Sequence, residues 1–185
     1  MTDTPRYTLL QRLIHWAVAV IAVCVLAAGV TLGVLGFDGL KNGYGIEVTN
    51  FVYKYHKTFG VIMLALMTLR LVLKLTFGRP DYDPPLPRFN KVASAAVHGM
   101  LYVALLVQPM LGWAATAAGG YPIEFFNSTL PKFISKDPAL SKTLYSIHLS
   151  VGLLILVLIA IHVGAALMHA FIKRDTVMHR MSLFR

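Results

Sequence analysis

The stretch TLYSIHLSVGLLILVLIAIHVGAALMHAFI, residues 143–172, decides the fold of this chain. It runs for 30 residues without an Asp, Glu, Lys or Arg, and about 20 apolar residues are enough to cross a bilayer as a helix. The stretch also contains His148 and His162, which lie 14 residues apart. It therefore predicts a transmembrane helix with ionisable side chains at membrane depth, where such groups usually have a function.

Three further segments predict additional spans. Residues 13–37 and 92–123 are free of charged residues, and residues 53–77 are charged only at Lys54, Lys57, Arg70 and Lys74. Arg70 and Lys74 follow the uncharged part of this segment, and their long side chains can reach the membrane surface. The alternation expected of barrel strands is absent, and only helices and closed barrels satisfy their backbone groups in lipid. We therefore predict an all-α, integral membrane four-helix bundle. Its spans are about 13–36, 53–77, 92–118 and 143–172, within one domain over residues 1–185.

The composition excludes several other classes of protein. Hydrophobic residues make up 57% of the chain and charged residues only 14%, whereas soluble domains carry about 25% charged residues. A soluble globular domain and a disordered chain are both inconsistent with these values. The only cysteine, Cys24, excludes an internal disulfide framework, a Cys-rich zinc or iron–sulfur site and covalent C-x-x-C-H haem attachment.

The basic residues predict the orientation of the bundle. With four spans, all eight arginines and three of the nine lysines fall on the side of the two termini, and the other six lysines fall on the opposite side. Because Lys and Arg concentrate in short cytoplasmic segments, both termini are predicted to be cytoplasmic. The net charge of +9 is thus mainly a topology signal, and we expect lipid rather than nucleic acid around this chain.

Glycine and proline predict the connections between the spans. Residues 37–52 contain Gly39, Gly43 and Gly45 and predict a loop. Residues 79–87 hold four prolines, which exclude a helix interior. The longest connection follows Gly119 and extends to Lys142, with room for a short surface helix.

The histidines suggest two sites at different depths. His148 and His162 lie within about 40° of one helix face and about 21 Å apart along its axis. Antiparallel spans then place His56 beside His148 at one level, and His15 beside His162 at the other. Two imidazoles per site favour haem, since zinc takes three or four protein ligands. We therefore predict metal ligands at His15, His56, His148 and His162.

Other residues have less definite roles. Arg70 follows His56 by 14 residues and either binds a haem propionate or anchors the helix at the membrane surface. His98 and His169 either replace an inner ligand or contact a propionate or a quinone head group, and we favour contact. Gly29, Gly60, Gly112 and Gly152 either admit a flat ring or let helices approach closely.

The ordered set of motifs resembles one known family over nearly the whole chain. The motifs are RLIHW at 12–16, YHKTFG at 55–60, MTLRL at 67–71, VHG at 97–99, His148, IH at 161–162 and IKRDTVMHRM at 172–181. In this set the chain resembles the bacterial di-haem cytochrome b561 family, which is related to the cytochrome b subunits of nickel–iron hydrogenases. The resemblance implies two haem b groups, held by histidines of the first, second and fourth spans, and electron exchange with membrane quinone.

The expected function is electron transfer in the bacterial inner membrane between a periplasmic donor or acceptor and ubiquinone. Some members of the family resemble superoxide oxidases, and Lys54 and Lys57 flank His56, where their charge would attract an anion such as superoxide or an acidic protein. The alternative is a haem-bearing membrane anchor for a separate periplasmic redox partner, without catalytic activity of its own. A transporter of metal ions or protons is a more distant rival, and no catalytic residue is assigned.

Overall fold

The computed structural model describes residues 5–82 and 85–184; Arg185, one of the arginines counted above, lies outside them. Its helices are α1 (Leu9–Phe77), α2 (Arg88–Ala118) and α3 (Pro138–Leu167), and its strands are β1 (Ile123–Phe125) and β2 (Ser128–Leu130). A π-helical turn over Met168–Lys173 and a 3₁₀ turn over Met178–Arg180 follow α3. Within the described residues, three helices are long and apolar enough to cross a membrane. The fold is therefore an all-helical membrane bundle.

Helix α1 turns back on itself. Its backbone leaves helical geometry at Gly36 (φ 63°, ψ −175°) and at Gly45 (φ 83°, ψ 166°). The Gln11 side chain donates to the carbonyl oxygens of Leu73 and Gly78 near the other end. Residues 9–35, here the first leg, therefore lie beside residues 46–77, the second leg.

The predicted loop over residues 37–52 is wrong. The chain is helical throughout this stretch except at Gly45, and the other glycine break, Gly36, lies directly before it. Both glycines adopt a conformation that is essentially restricted to glycine. The chain therefore changes direction at Gly36 and at Gly45, and residues 37–44 between them remain helical.

The other helices begin and end close to the predicted bounds. Asp137 caps α3 by accepting a hydrogen bond from the Leu140 N–H, and Pro138 stands in the first turn, where proline is well tolerated. The helical path continues through the π-helical turn to Lys173, and Arg174 then adopts a left-handed conformation (φ 52°). Pro109 lies inside α2.

Apolar side chains face both the centre and the outside of the bundle. Val18, Ala22, Met63 and Met67 form the buried core between the two legs. Many other apolar side chains are exposed, and Leu75 is 76% exposed. Such extensive apolar exposure is unfavourable in water and is what a lipid-facing surface requires.

A β-hairpin occupies the longest connection, so the expected surface helix is absent from the described residues there. Ile123 pairs with Leu130 and Phe125 with Ser128. The Thr58 hydroxyl donates to the Glu124 carbonyl oxygen and accepts from the Phe126 N–H. The hairpin is therefore attached to the second leg, two residues from His56.

The C-terminal segment closes the opposite end of the bundle. Trp16 donates from its indole nitrogen to the Met181 carbonyl oxygen over 2.9 Å, and Arg12 donates to the Ser182 carbonyl oxygen over 2.7 Å. Arg180 donates to the Pro80 carbonyl oxygen. Backbone carbonyls thus accept hydrogen bonds from Trp16, Arg12 and Arg180 and tie the C-terminal segment to this end of the bundle.

The glycine break predicts an unequal response to alanine at two neighbouring positions. Gly45→Ala forces a side chain into a glycine-only conformation and should cost about 1–3 kcal/mol. Gly43 is helical and its added Cβ would meet no atom within 4 Å, so Gly43→Ala should be neutral or stabilising. Thermal unfolding of the detergent-solubilised variants measures this difference, and equal midpoints would contradict the assigned break.

Candidate functional site

His56 and His148 lie opposite each other at one level of the bundle, here called the outer level. The second leg supplies His56 and α3 supplies His148. Their ring centroids are 6.1 Å apart and their planes are inclined at 82°. With metal–imidazole bonds of about 2 Å, two rings on opposite sides of one metal ion have centroids roughly 6 Å apart. The spacing therefore suits a single ion between the two rings.

Three histidines meet at the other level, here called the inner level. His15 and His162 have ring centroids 6.1 Å apart, with planes inclined at 77°. The His98 ring of α2 lies 5.0 Å from the His162 ring, and its Nδ1 is 2.6 Å from the Ser94 carbonyl oxygen of its own helix. The His15–His162 spacing repeats the outer one, while the choice between His15 and His98 as ligand stays a prediction.

A cavity lies against the outer pair. Its empty volume is about 700 Å³, including space open to the surroundings, and His56, His148 and apolar side chains line it together with Gly29, Gly60 and Gly152. A Cβ on Gly29 would lie 3.1 Å from His56 Cε1, and one on Gly60 would meet no atom within 4 Å. The missing side chains leave room beside the two imidazole rings.

The donor set suits haem better than a bare metal ion. Among residues 5–82 and 85–184, no three His, Cys, Asp or Glu side chains are arranged to hold a metal by themselves. Each level offers two facing imidazoles, so a bound metal would need most of its coordination from another group. A porphyrin supplies four equatorial nitrogens and leaves two axial positions, which are the positions that the imidazoles can fill.

Two cations lie near the inner level. Arg70 is close enough for its charge to act on the rings of His15, His98 and His162. The Arg70 guanidinium and the Lys74 ammonium stand 5.7 Å and 4.3 Å from the centre of the Tyr102 ring. Arg70 therefore lies near the level that the sequence predicted, while Lys74 was expected only to reach the membrane surface, although its spacing of four residues places it on the same helix face.

His169 lies in a different environment from the inner histidines. Its Nδ1 is 2.5 Å from Asp175 Oδ2, and no ring contact joins it to the inner cluster in the described part of the chain. Burial tends to raise the pKa of Asp175, but hydrogen bonds with His169 and the Val177 N–H lower it overall. His169 thus holds the segment that follows α3, and its contact with a cofactor stays a prediction.

The lysines around His56 are partly occupied by protein groups. Lys57 Nζ lies 2.5 Å from Glu124 Oε2, whereas Lys54 Nζ donates to the neutral Asn127 amide oxygen. The Glu124 carboxylate offsets the charge of Lys57, while Lys54 keeps its charge. The sequence alone did not show this pairing, because the hairpin brings Glu124 to Lys57 from 67 residues away.

Comparison with known proteins agrees with this arrangement. A family model described as prokaryotic cytochrome b561 matches residues 6–182. The chain belongs to the prokaryotic cytochrome b561 family. It is accordingly a multi-pass membrane protein and a b-type cytochrome of electron transfer, and haem binding follows from the family.

Similar proteins match along almost their entire lengths. Cytochrome b561 homolog 1 of Escherichia coli K12 is 27% identical over 176 residues, which is 95% of this chain and 96% of that protein. Cytochrome b561 homolog 2 of the same strain is 25% identical, with 97% and 93% covered. The probable superoxide oxidase CybB of Yersinia pestis is 25% identical over 95% of each chain.

The glycine beside His56 gives a test of this geometry. Gly29→Ala places a methyl group 3.1 Å from His56 Cε1, so the ring must shift, and such overpacking costs about 1–3 kcal/mol. We expect a lower haem-to-protein ratio and a lower thermal midpoint. Gly164→Ala is the control, because a Cβ there meets no atom within 4 Å, and equal haem content in the two variants would contradict the contact.

Proposed function

We propose that this protein is a di-haem b cytochrome of the bacterial inner membrane, which carries electrons between a periplasmic redox partner and ubiquinone. The observation that carries the proposal is the repeated spacing of 6.1 Å between facing histidine rings at two levels. A single pair could be an interhelical packing contact. Two equally spaced pairs in a family of b-type cytochromes support two axial ligand sets.

Four spans make up the proposed bundle. The first and second legs have 27 and 32 residues, or about 40 Å and 48 Å as helices, and each exceeds the thickness of the hydrocarbon core. Together with α2 and α3 they give an even number of crossings. The arginines then lie on the side of both termini, which supports a cytoplasmic location for that side.

The chain holds each haem through two helices. His56 and His148 would bind the outer iron, and His15 and His162 the inner iron. Haem, when bound, supplies a carrier that accepts and releases one electron without changing its ligands. The apolar core of Val18, Ala22, Met63 and Met67 follows His15 and His56 along the two legs. It keeps water and ions away from the path between the levels.

Cations at the inner level would hold the haem carboxylates. Arg70 can form the two parallel hydrogen bonds that a carboxylate accepts, and Lys74 adds a second charge. Their proximity to Tyr102 orients both side chains towards α2. This placement favours propionate binding over the purely interfacial role that the sequence left open for Arg70.

Quinone would bind at the inner end. A groove lined by Trp16, Arg174 and His179, among others, opens there with about 1190 Å³ of empty space, including its open surroundings. The Trp16 ring lies 5.5 Å from the His15 ring, so a head group in this groove would be near the inner ligand. Neither candidate from the sequence lines this groove. His98 lies against His162 and His169 is engaged by Asp175, so contact of either histidine with quinone stays a prediction.

Superoxide is the proposed periplasmic donor, because the Yersinia relative is named as a probable superoxide oxidase and Lys54 keeps its charge near the outer level. With haem bound, the site that His56 and His148 would hold could take one electron from superoxide, which would leave as dioxygen. Two such electrons and two protons convert ubiquinone to ubiquinol. The alternative is a haem-bearing membrane anchor without its own activity. In it, electrons would follow the same path from the outer site to quinone, but a partner protein would be the donor.

Loss of single ligands should remove the haems separately. His56→Ala should lose the outer haem and keep the inner one, and His15→Ala should do the reverse, because each pair lies on its own level. His179→Ala is the control and should keep both. The haem-to-protein ratio of each purified variant, with a redox titration, gives the result, and retention of two haems by His56→Ala would refute the ligand assignment.

The donor can be identified by stopped-flow reduction of the purified protein with superoxide in the presence of ubiquinone. Lys54→Glu should slow reduction several-fold at low ionic strength, and added salt should shrink the difference. Lys91→Glu makes the same charge change at the other end of the bundle and should have little effect. If superoxide reduces no haem in the isolated protein, the anchor function replaces the oxidase function.

A further inference from the structure

Gln108 of α2 contacts His148 of α3 through both its side chain and its main chain. Gln108 Nε2 donates to the main-chain carbonyl oxygen of His148 over 2.9 Å. In return, His148 Nδ1 lies 3.0 Å from the main-chain carbonyl oxygen of Gln108. Because a carbonyl oxygen only accepts, His148 Nδ1 must carry the ring proton. The other ring nitrogen, Nε2, is then free to bind a metal.

Two glycines make room for these contacts. Gly112 follows Gln108 by four residues, and Gly152 follows His148 by four residues. A Cβ on Gly112 would lie 3.0 Å from His148 Cε1, and a Cβ on Gly152 would lie 3.1 Å from Gln108 Nε2. On α2, Gly112 thus leaves space for His148 of α3. On α3, Gly152 leaves space for Gln108 of α2.

The two outer histidines differ in their surroundings. His148 donates from Nδ1 to a carbonyl oxygen, whereas His56 Nδ1 is buried without a hydrogen-bond partner. Gln108 lines the cavity between them. His148 is thus the outer histidine whose Nδ1 has a protein partner at hydrogen-bond distance, while the His56 ring interacts with the Val25 main chain.

We propose that Gln108 is a positioning residue for the outer haem, acting through His148, and this inference rests on the proposed di-haem function. Its amide holds α3 at the distance where the Gln108 carbonyl accepts the Nδ1 proton. That hydrogen bond fixes the ring tautomer and makes the imidazole a stronger electron donor to its metal. Stronger donation stabilises the ferric state, so Gln108 keeps the midpoint potential of the outer haem low.

Redox titration of the full-length purified protein with both haems tests the role of Gln108. Gln108→Leu keeps the approximate volume but removes the donor. We expect the ferrous-to-ferric ratio of the outer haem to rise about tenfold at a fixed potential, which is about 59 mV for one electron. The EPR signal of the outer ferric haem should shift as well, while the inner haem keeps its potential and spectrum.

Two further variants separate positioning from general damage. Gly152→Ala displaces the Gln108 amide without removing it, so it should shift the outer potential in the same direction but by less. The double variant should shift the potential no further than Gln108→Leu alone, because both changes act on one contact. Gln11→Leu is the matched control. It removes an amide that donates to carbonyl oxygens near the inner end, and it should leave the outer haem unchanged.

The outcomes distinguish this inference from the proposed function. An unchanged outer potential and EPR signal in Gln108→Leu, or additive shifts in the double variant, would overturn the role of Gln108. If Gln108→Leu does not retain the outer haem, an unchanged outer potential and EPR signal in Gly152→Ala would overturn the role of Gln108 instead. If the unmodified protein binds no haem at the outer level, the failure belongs to the proposed function instead.

Discussion

The structure depends on the rotation of the α-helix, which brings a residue back to almost the same face after 14 positions. In lipid the backbone must remain helical, so this interval fixes two levels on every membrane-crossing segment. The two legs of α1, helix α2 and helix α3 each carry a residue pair at this spacing: His15 and Gly29, His56 and Arg70, His98 and Gly112, His148 and His162. Antiparallel packing then sorts the eight residues into two groups of four.

Each group has a consistent chemical composition. The outer level combines two facing imidazoles with Gly29 and Gly112, where an added Cβ would lie 3.1 Å from His56 and 3.0 Å from His148. The inner level combines three imidazoles with Arg70. The distance between the centroids of the facing histidine rings is equal at the two levels. The other two positions are glycines at the outer level, whereas at the inner level they are His98 and Arg70. The same backbone therefore builds two sites with different electrostatics.

The features that follow from helix periodicity could be predicted from the sequence, and those that need a specific contact could not. The histidine pairs and the position of Arg70 required only rise, rotation and antiparallel order. The helical turn between Gly36 and Gly45 was mistaken for a loop, because glycine indicates a break without showing what lies between breaks. The hairpin beside His56 was missed, since its strands have three residues each and are held by Thr58 and Lys57. No role could be predicted for Gln108, because the sequence does not show which residue of a neighbouring helix an amide in an apolar span contacts.

The difference between the levels also bears on the direction of electron flow in the proposed function. Positive charge near a haem favours its reduced state, which carries one positive charge less, and Arg70 and Lys74 place two such charges near the inner level. At the outer level, Glu124 offsets the charge of Lys57, and the contact of Gln108 with His148 favours the oxidised state. These effects act in the same sense, because one raises the inner potential and the other lowers the outer potential. Lys54 leaves one positive charge near the outer level against two near the inner level. With the proposed role of Gln108, an electron that enters beside His56 would therefore move towards His15 with a favourable free energy, which is the direction that reduction of quinone from the outer side requires.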